Sequence, residues 1–185
     1  WFGFNVGSEL AADGVAGAVM INTQVATAAA VLGWMLIESL QKGKASMLGG
    51  ASGAISGLVA ITPACAVVGP MGAIILGFVG YLVAYWACKS LTKAIGNDDS
   101  LAVFVIHGVA GIIGALGLAS LMSPTFCGVG FYECETIASQ FIIQPTSVGV
   151  TIIWCAIETF FLYKIVNSVI GMRVSDESER TGLDT

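Results

Sequence analysis

His107 is the only histidine in the chain, and it sits inside a stretch, Leu101 to Met122, that holds no charged side chain. An imidazole can exchange hydrogen bonds, relay a proton or ligate a metal, and its surroundings decide which. On a helix its neighbours are Val103, Phe104, Gly111 and Gly114, and none offers a charge to pair with. Apolar surroundings disfavour the imidazolium, so the expected form is a neutral ring with one donor and one acceptor nitrogen. Such a ring suits a small uncharged polar solute better than a bare ion. A metal site is not expected, because one histidine without a cysteine or carboxylate on its helix cannot complete a coordination shell. A histidine that only bonds to a neighbouring helix is the open alternative.

A second group of chemistry-bearing residues opens the chain. Trp1, Phe2, Phe4 and Ser8 lie within nine residues; aromatic faces attract cations and a hydroxyl accepts a hydrogen bond. An interfacial aromatic belt is the competing reading. Asp99 lies about two helical turns before His107, as a proton-related group or simply a helix cap. Glu158 is a carboxylate inside an apolar run and has no assigned role. Of the five cysteines, Cys127 and Cys134 share one segment, where an oxidising compartment would permit a bridge. Paired acid–base groups are lacking, so an enzyme is not expected and no cofactor is called for.

The elements that position these residues follow from composition. Of 185 residues, 56% are hydrophobic and 10% charged, with a mean hydropathy of +0.89. A soluble domain carries about 25% charged residues, and a nucleic-acid binder needs a basic face, which is missing here. The composition is that of an all-α, polytopic helical membrane protein whose surroundings are the lipid bilayer. A helix needs about 20 apolar residues to cross. Gaps between charges, together with Pro63 and the Gly69–Pro70 pair, give spans of about 14–41, 46–66, 71–95, 101–122 and 147–172. The turn Asn97–Ser100 is read as a helix cap, and the segment from Ser123 to about Pro145 as a long interruption. Residues 1–172 thus form a transmembrane domain and 173–185 the start of a polar tail. Trp1–Glu9 would reach only about 14 Å as a helix, so it is read as the end of a helix that begins upstream in a longer protein.

Alternating spans bring all seven basic residues, Lys42, Lys44, Lys89, Lys93, Lys164, Arg173 and Arg180, to one side. The positive-inside rule makes that side cytoplasmic, with the C-terminus in the cytosol and the plasma (inner) membrane as the expected location. The Gly53–Gly57 pair and the glycines at 108, 111, 114 and 117 would let helices approach closely; as a stripe beside His107, the latter could leave a narrow lumen.

Taken in order, several motifs resemble the ammonium transporter (Amt/Mep/Rh) family. They are WFGFNVGS at Trp1–Ser8, NTQVATAAA at Asn22–Ala30, GAISGLVA at Gly53–Ala60, TPAC at Thr62–Cys65, Asp98–Asp99, FVIHGVAG at Phe104–Gly111, GVGF at Gly128–Phe131, GMRV at Gly171–Val174 and ERTGLD at Glu179–Asp184. The resemblance runs collinearly over nearly the whole chain. It implies an inverted repeat of five plus five helices with an eleventh outside, this chain covering the end of helix 6 through helix 11, each subunit having its own pore within a homotrimer. His107 then matches the second of two pore histidines, Phe4 one of two gate phenylalanines, and Ser8 the hydroxyl that binds ammonium above them, beside Trp1. Thr62 and Val103 match pore-lining positions and Asp99 the acidic residue before the histidine. Ala102 and Glu158 depart from the family pattern, which has an aspartate and an apolar residue there. The implied activity is movement of ammonium or ammonia, with methylammonium as an analogue; a PII-type regulatory protein is a possible cytoplasmic partner. The rival reading is an ammonium sensor that signals through its tail.

Overall fold

The structure is a computed structural model that describes residues 1–95, 102–131 and 135–182. Among these there are helices and turns and no strand, so the molecule is all-α. The helices are α1 (Phe2–Asn5), α2 (Gly14–Lys42), α3 (Met47–Ile61), α4 (Pro70–Ile95), α5 (Ala110–Leu121), α6 (Ile137–Val169) and α7 (Asp176–Thr181). A π-helical segment, Phe104–Val109, leads into α5. Gly14–Lys42, Pro70–Leu91, Phe104–Leu121 and Ile137–Val169 are each long and apolar enough to cross a membrane. α3 is shorter, about 22 Å, and is followed by a run of turns. The chain divides into two compact units, Trp1–Pro145 and Thr146–Thr185.

Local sequence fixes the helix ends. Asp13 precedes α2 and its carboxylate accepts from the backbone N–H groups of Val15 and Ala16 at 2.9 and 3.0 Å, satisfying donors that a helix leaves free at its start. Gly43, at φ +80°, ends that helix and donates to the Ser39 carbonyl, a conformation open to glycine. Ser46 caps α3 through Gly49 N–H at 2.9 Å, and Pro70 opens α4, where its missing N–H costs nothing.

Two boundaries differ from the sequence reading. α3 stops at Ile61 rather than running to 66: Pro63 has no N–H to continue the helical ladder, and the buried Asn22 amide on α2 donates to Cys65 O at 2.9 Å and Val68 O at 2.7 Å in the turns that follow. α6 begins at Ile137 rather than 147. A reciprocal pair starts it early, Thr136 N–H donating to Ser139 Oγ and Ser139 N–H to Thr136 Oγ1, and Pro145 is carried inside the helix. The expected cap at Asn97–Ser100 lies outside the described residues.

In the first unit α2 is the hub, packed on α3 and α4, while α3 also meets α5. Backbones come close because the contact residues lack side chains. A Cβ on Gly57 of α3 would lie 2.8 Å from the Ala26 carbonyl oxygen of α2 and 2.7 Å from the Ala30 methyl, and one on Gly77 of α4 would overlap that same Ala26 carbonyl. Gly114 of α5 stands likewise against Ala60 of α3. Of the glycine stripe after His107, Gly114 and Gly117 are therefore packing residues, while Gly108 and Gly111 meet only ordinary contacts, Phe104 and Val59, at 3.6 Å. Val19, Ala26, Ala60, Ile61 and Leu76 centre the core.

Polar staples close the ends. Glu38, 4% exposed, accepts from Lys42 Nζ at 2.8 Å and from Ser46 N–H and Oγ at 3.0 and 2.8 Å, tying the α2–α3 loop. Gln41 accepts from Tyr85 Oη at 2.9 Å and from Lys89, joining α2 to α4. In the second unit, α6 residues from Val150 onward are exposed, Glu158 among them. Beyond α6, Arg173 forks onto Glu179 at 2.7 and 2.9 Å and holds that carboxyl below its ordinary range.

Gly57→Val in the complete protein should lower the thermal midpoint in detergent, by about 1–3 kcal/mol or more of stability. Gly149→Ala, where an added Cβ meets nothing within 4 Å, should leave it within about 1 kcal/mol, the ordinary cost of a surface change.

Candidate functional site

Four of the residues singled out from sequence converge in space, although they come from three distant segments. Trp1 precedes α1, Phe4 lies on it, Thr62 caps the C-terminus of α3, and His107 sits in the π-helical segment before α5. The Trp1 indole N–H donates to Thr62 Oγ1 at 2.8 Å. Its ring centroid is 6.4 Å from that of His107, tilted by 42°, and 6.3 Å from Phe4 in an edge-on contact. Val103 lies one turn before His107, and its carbonyl is 3.3 Å from His107 Nδ1. A carbonyl only accepts, so a hydrogen bond there requires the ring proton on Nδ1; in the neutral ring Nε2 is then an acceptor.

This group forms an open face. Trp1, Phe4 and Val103 are 44%, 62% and 49% exposed; His107 is exposed and Thr62 half-buried. Among the described residues, the side chains that make these contacts carry no charge beside the imidazole. The described residues do not enclose the imidazole, so the fold presents it outward instead of packing it away against α3 or α4. An open groove elsewhere in the first unit, lined by Phe2, Met20, Ile21, Gln24 and Val25, is apolar apart from Gln24 and carries no titratable group.

The backbone around His107 is irregular in two ways. Phe104–Val109 is π-helical, a form that occurs mostly as single turns and often at functional sites. Just before it, Ala102 has φ +52°, a left-handed conformation that is unfavourable for a residue with a Cβ. Neither feature can be read from apolar patterning.

Ser8 lies beyond Phe4 on the 3₁₀ turn Gly7–Glu9. Its hydroxyl is exposed and donates to the Phe4 carbonyl at 2.6 Å, which leaves its lone pairs outward. Asp99 and Cys134 lie outside the described residues; Cys127, the other half of the expected bridge, is exposed. Among the described residues no three His, Cys, Asp or Glu side chains gather as metal ligands.

Two supporting residues were given no role from sequence. Asn5, 4% exposed, donates through Nδ2 to Thr23 Oγ1 at 3.1 Å and pins the short α1 to α2. Asn22, 2% exposed, clamps the turn after α3 and keeps its Oδ1 without a partner among the described residues. The available signal was polarity, since an amide inside an apolar span must find partners within the protein.

Comparison with known proteins gives one consistent result. The family model described as "Ammonium Transporter Family" matches residues 1–185. An ammonium transporter of Bacillus subtilis (strain 168) is 43% identical over 187 residues, covering 100% of this chain and 46% of that protein. One of Aquifex aeolicus (strain VF5) is 42% identical over 180 residues, covering 97% of this chain and 42% of that protein. A solved structure titled "Sensor Amt Protein" superposes with a TM-score of 0.88 at 28% identity, covering 100% of this chain and 45% of that one. The chain therefore spans about half the length of the curated relatives it matches.

Ala102→Gly should relieve the left-handed backbone and raise the thermal midpoint of the complete protein, by about 1 kcal/mol of stability. An unchanged or lower midpoint would mean that Ala102 carries no such strain.

Proposed function

The chain belongs to the ammonium transporter family, and we propose that within a complete subunit it supplies one wall of a narrow apolar passage through which ammonia crosses the membrane past His107. The observation that carries this reading is the uncharged face on which Trp1, Phe4, Thr62, Val103 and His107 come together, open and unfilled by side chains of the described chain. It is an integral membrane protein, and the residues on this face are of the kind that lets a small polar solute pass without offering an ion a counter-charge.

Selection begins outside. Ammonium is held by the aromatic faces of Trp1 and Phe4, an attraction of about 0.5–2 kcal/mol, and by hydrogen bonds to the outward lone pairs of Ser8. Deeper in, the ion has no charged partner, and an unpaired charge in an apolar medium is strongly disfavoured. It therefore gives its proton to water at the outer mouth, and neutral ammonia continues to the far side, where it takes up a proton from water again. Ammonia donates an N–H to the His107 Nε2 acceptor, passes Val103, and leaves on the side bearing the lysines. Asp99, eight residues before His107 in the sequence, is assigned to the proton balance of the pathway.

The same reading has the complete protein as a homotrimer in the plasma membrane with a cytoplasmic C-terminus, where the polar tail beginning at Arg173 is available to a PII-type regulator. A sensing role is the second reading, favoured by the likeness to the structure titled "Sensor Amt Protein". The two separate on whether the solute crosses.

In the complete subunit reconstituted in vesicles, His107→Ala should lower methylammonium uptake at least about tenfold, which corresponds to roughly 1.4 kcal/mol on the barrier. Unchanged uptake would contradict the conduction role of His107, and ammonium binding without uptake by the unmodified protein would favour sensing.

A further inference from the structure

We infer that Thr62 is a positioning residue that acts through Trp1: its hydroxyl fixes the indole beside His107 and withholds the indole N–H from the imidazole and the passing solute. This rests on the proposed conduction path and goes beyond it by giving the Thr62 hydroxyl a task other than meeting ammonia.

The geometry starts from what each group can do. An indole N–H donates and never accepts. On an apolar wall an unpaired donor seeks any acceptor within reach, and His107 Nε2 is the acceptor nearby. Trp1 stands at the start of α1, and its indole needs an acceptor of its own on this wall. Thr62 supplies the hold. It donates its own O–H to the Leu58 carbonyl at 2.7 Å, which fixes the hydroxyl rotor, and it accepts the Trp1 N–H at 2.8 Å. Its proton and one lone pair are thus committed within the protein.

Thr62 is itself held. It ends α3 with its N–H turned to the Val59 carbonyl at 3.3 Å, its carbonyl accepts from Cys65 Sγ at 3.3 Å, and the turn that follows is clamped by Asn22. A relay of fixed positions therefore runs from Asn22 through the turn to Thr62 and on to Trp1, whose ring stands 6.4 Å from His107. With the indole N–H occupied, the Nε2 acceptor stays free for the solute. Were Thr62 a direct contact for ammonia, its loss would add to that of Trp1; acting through the indole, it would not.

The test uses the complete subunit in vesicles with methylammonium uptake, and three variants. Thr62→Val keeps the shape and removes the hydroxyl, Thr62→Ser keeps the hydroxyl, and Trp1→Phe removes the indole N–H. Uptake should fall about tenfold in Thr62→Val, on the scale of one hydrogen bond, and stay near normal in Thr62→Ser. Thr62→Val added to Trp1→Phe should cost nothing more than Trp1→Phe alone. In protein carrying ¹⁵N-labelled tryptophan, the indole resonance identified by its loss in Trp1→Phe should move in Thr62→Val and not in Thr62→Ser; Thr62→Ala serves for both readouts if Thr62→Val does not assemble. Normal uptake in the variant lacking the hydroxyl, an unmoved resonance, or losses that add in full would each overturn the inference. His107→Ala measured alongside keeps the two levels apart. If it retains uptake, the conduction reading falls while the resonance still reports the Trp1–Thr62 bond; if it loses uptake and Thr62→Val does not, only the positioning role falls.

Discussion

A polar group surrounded by hydrocarbon must find its partner inside the protein, and the arrangement of this chain follows from that constraint. Asn22 answers it by donating to the carbonyls left where α3 stops. Glu38 answers it with Lys42 and Ser46 at the other end of the same helix pair, and Trp1 with Thr62. One ring nitrogen of His107 lies 3.3 Å from the Val103 carbonyl, on a residue that is exposed in the described chain.

The helices are brought together by the absence of side chains. Lipid offers no hydrophobic force to join apolar helices, so close van der Waals contact has to do it. The Ala26 carbonyl of α2 receives both Gly57 of α3 and Gly77 of α4, and Ala60 of α3 receives Gly114 of α5. These contacts set where α1, the end of α3 and the π-helical segment stand, and hence the separation of Trp1, Thr62 and His107. Packing and site are linked through α3, which has small residues on its packed faces and the Thr62 hydroxyl at its end.

Much of this was legible in the sequence, for identifiable reasons. Long charge-free runs mark helices because hydrocarbon excludes charge, so α2, α4 and the segment leading through α5 were visible. The caps Asp13 and Ser46 were not assigned from sequence, although both are short polar side chains just ahead of apolar runs. His107 was conspicuous as a lone ionisable group at depth. The end of α3 was read too late: Pro63 marks it locally, whereas the Asn22 amide that holds the turns after it is remote in sequence. The start of α6 was missed because Pro145 looked like a boundary, whereas the Thr136–Ser139 cap begins the helix earlier. The Trp1–Thr62 bond joins residues 61 positions apart, and no local pattern encodes such a pair. The left-handed Ala102 and the π-helical segment depend on tertiary context as well.

The most direct measurement is an experimental structure of the complete subunit in lipid, at a resolution that shows the side chains around His107. It should reveal a continuous narrow passage running beside Trp1, Thr62, Val103 and His107, with the outward imidazole nitrogen facing its lumen. An imidazole sealed against a helix of the remaining half, with no passage alongside, would contradict the conduction path through this face.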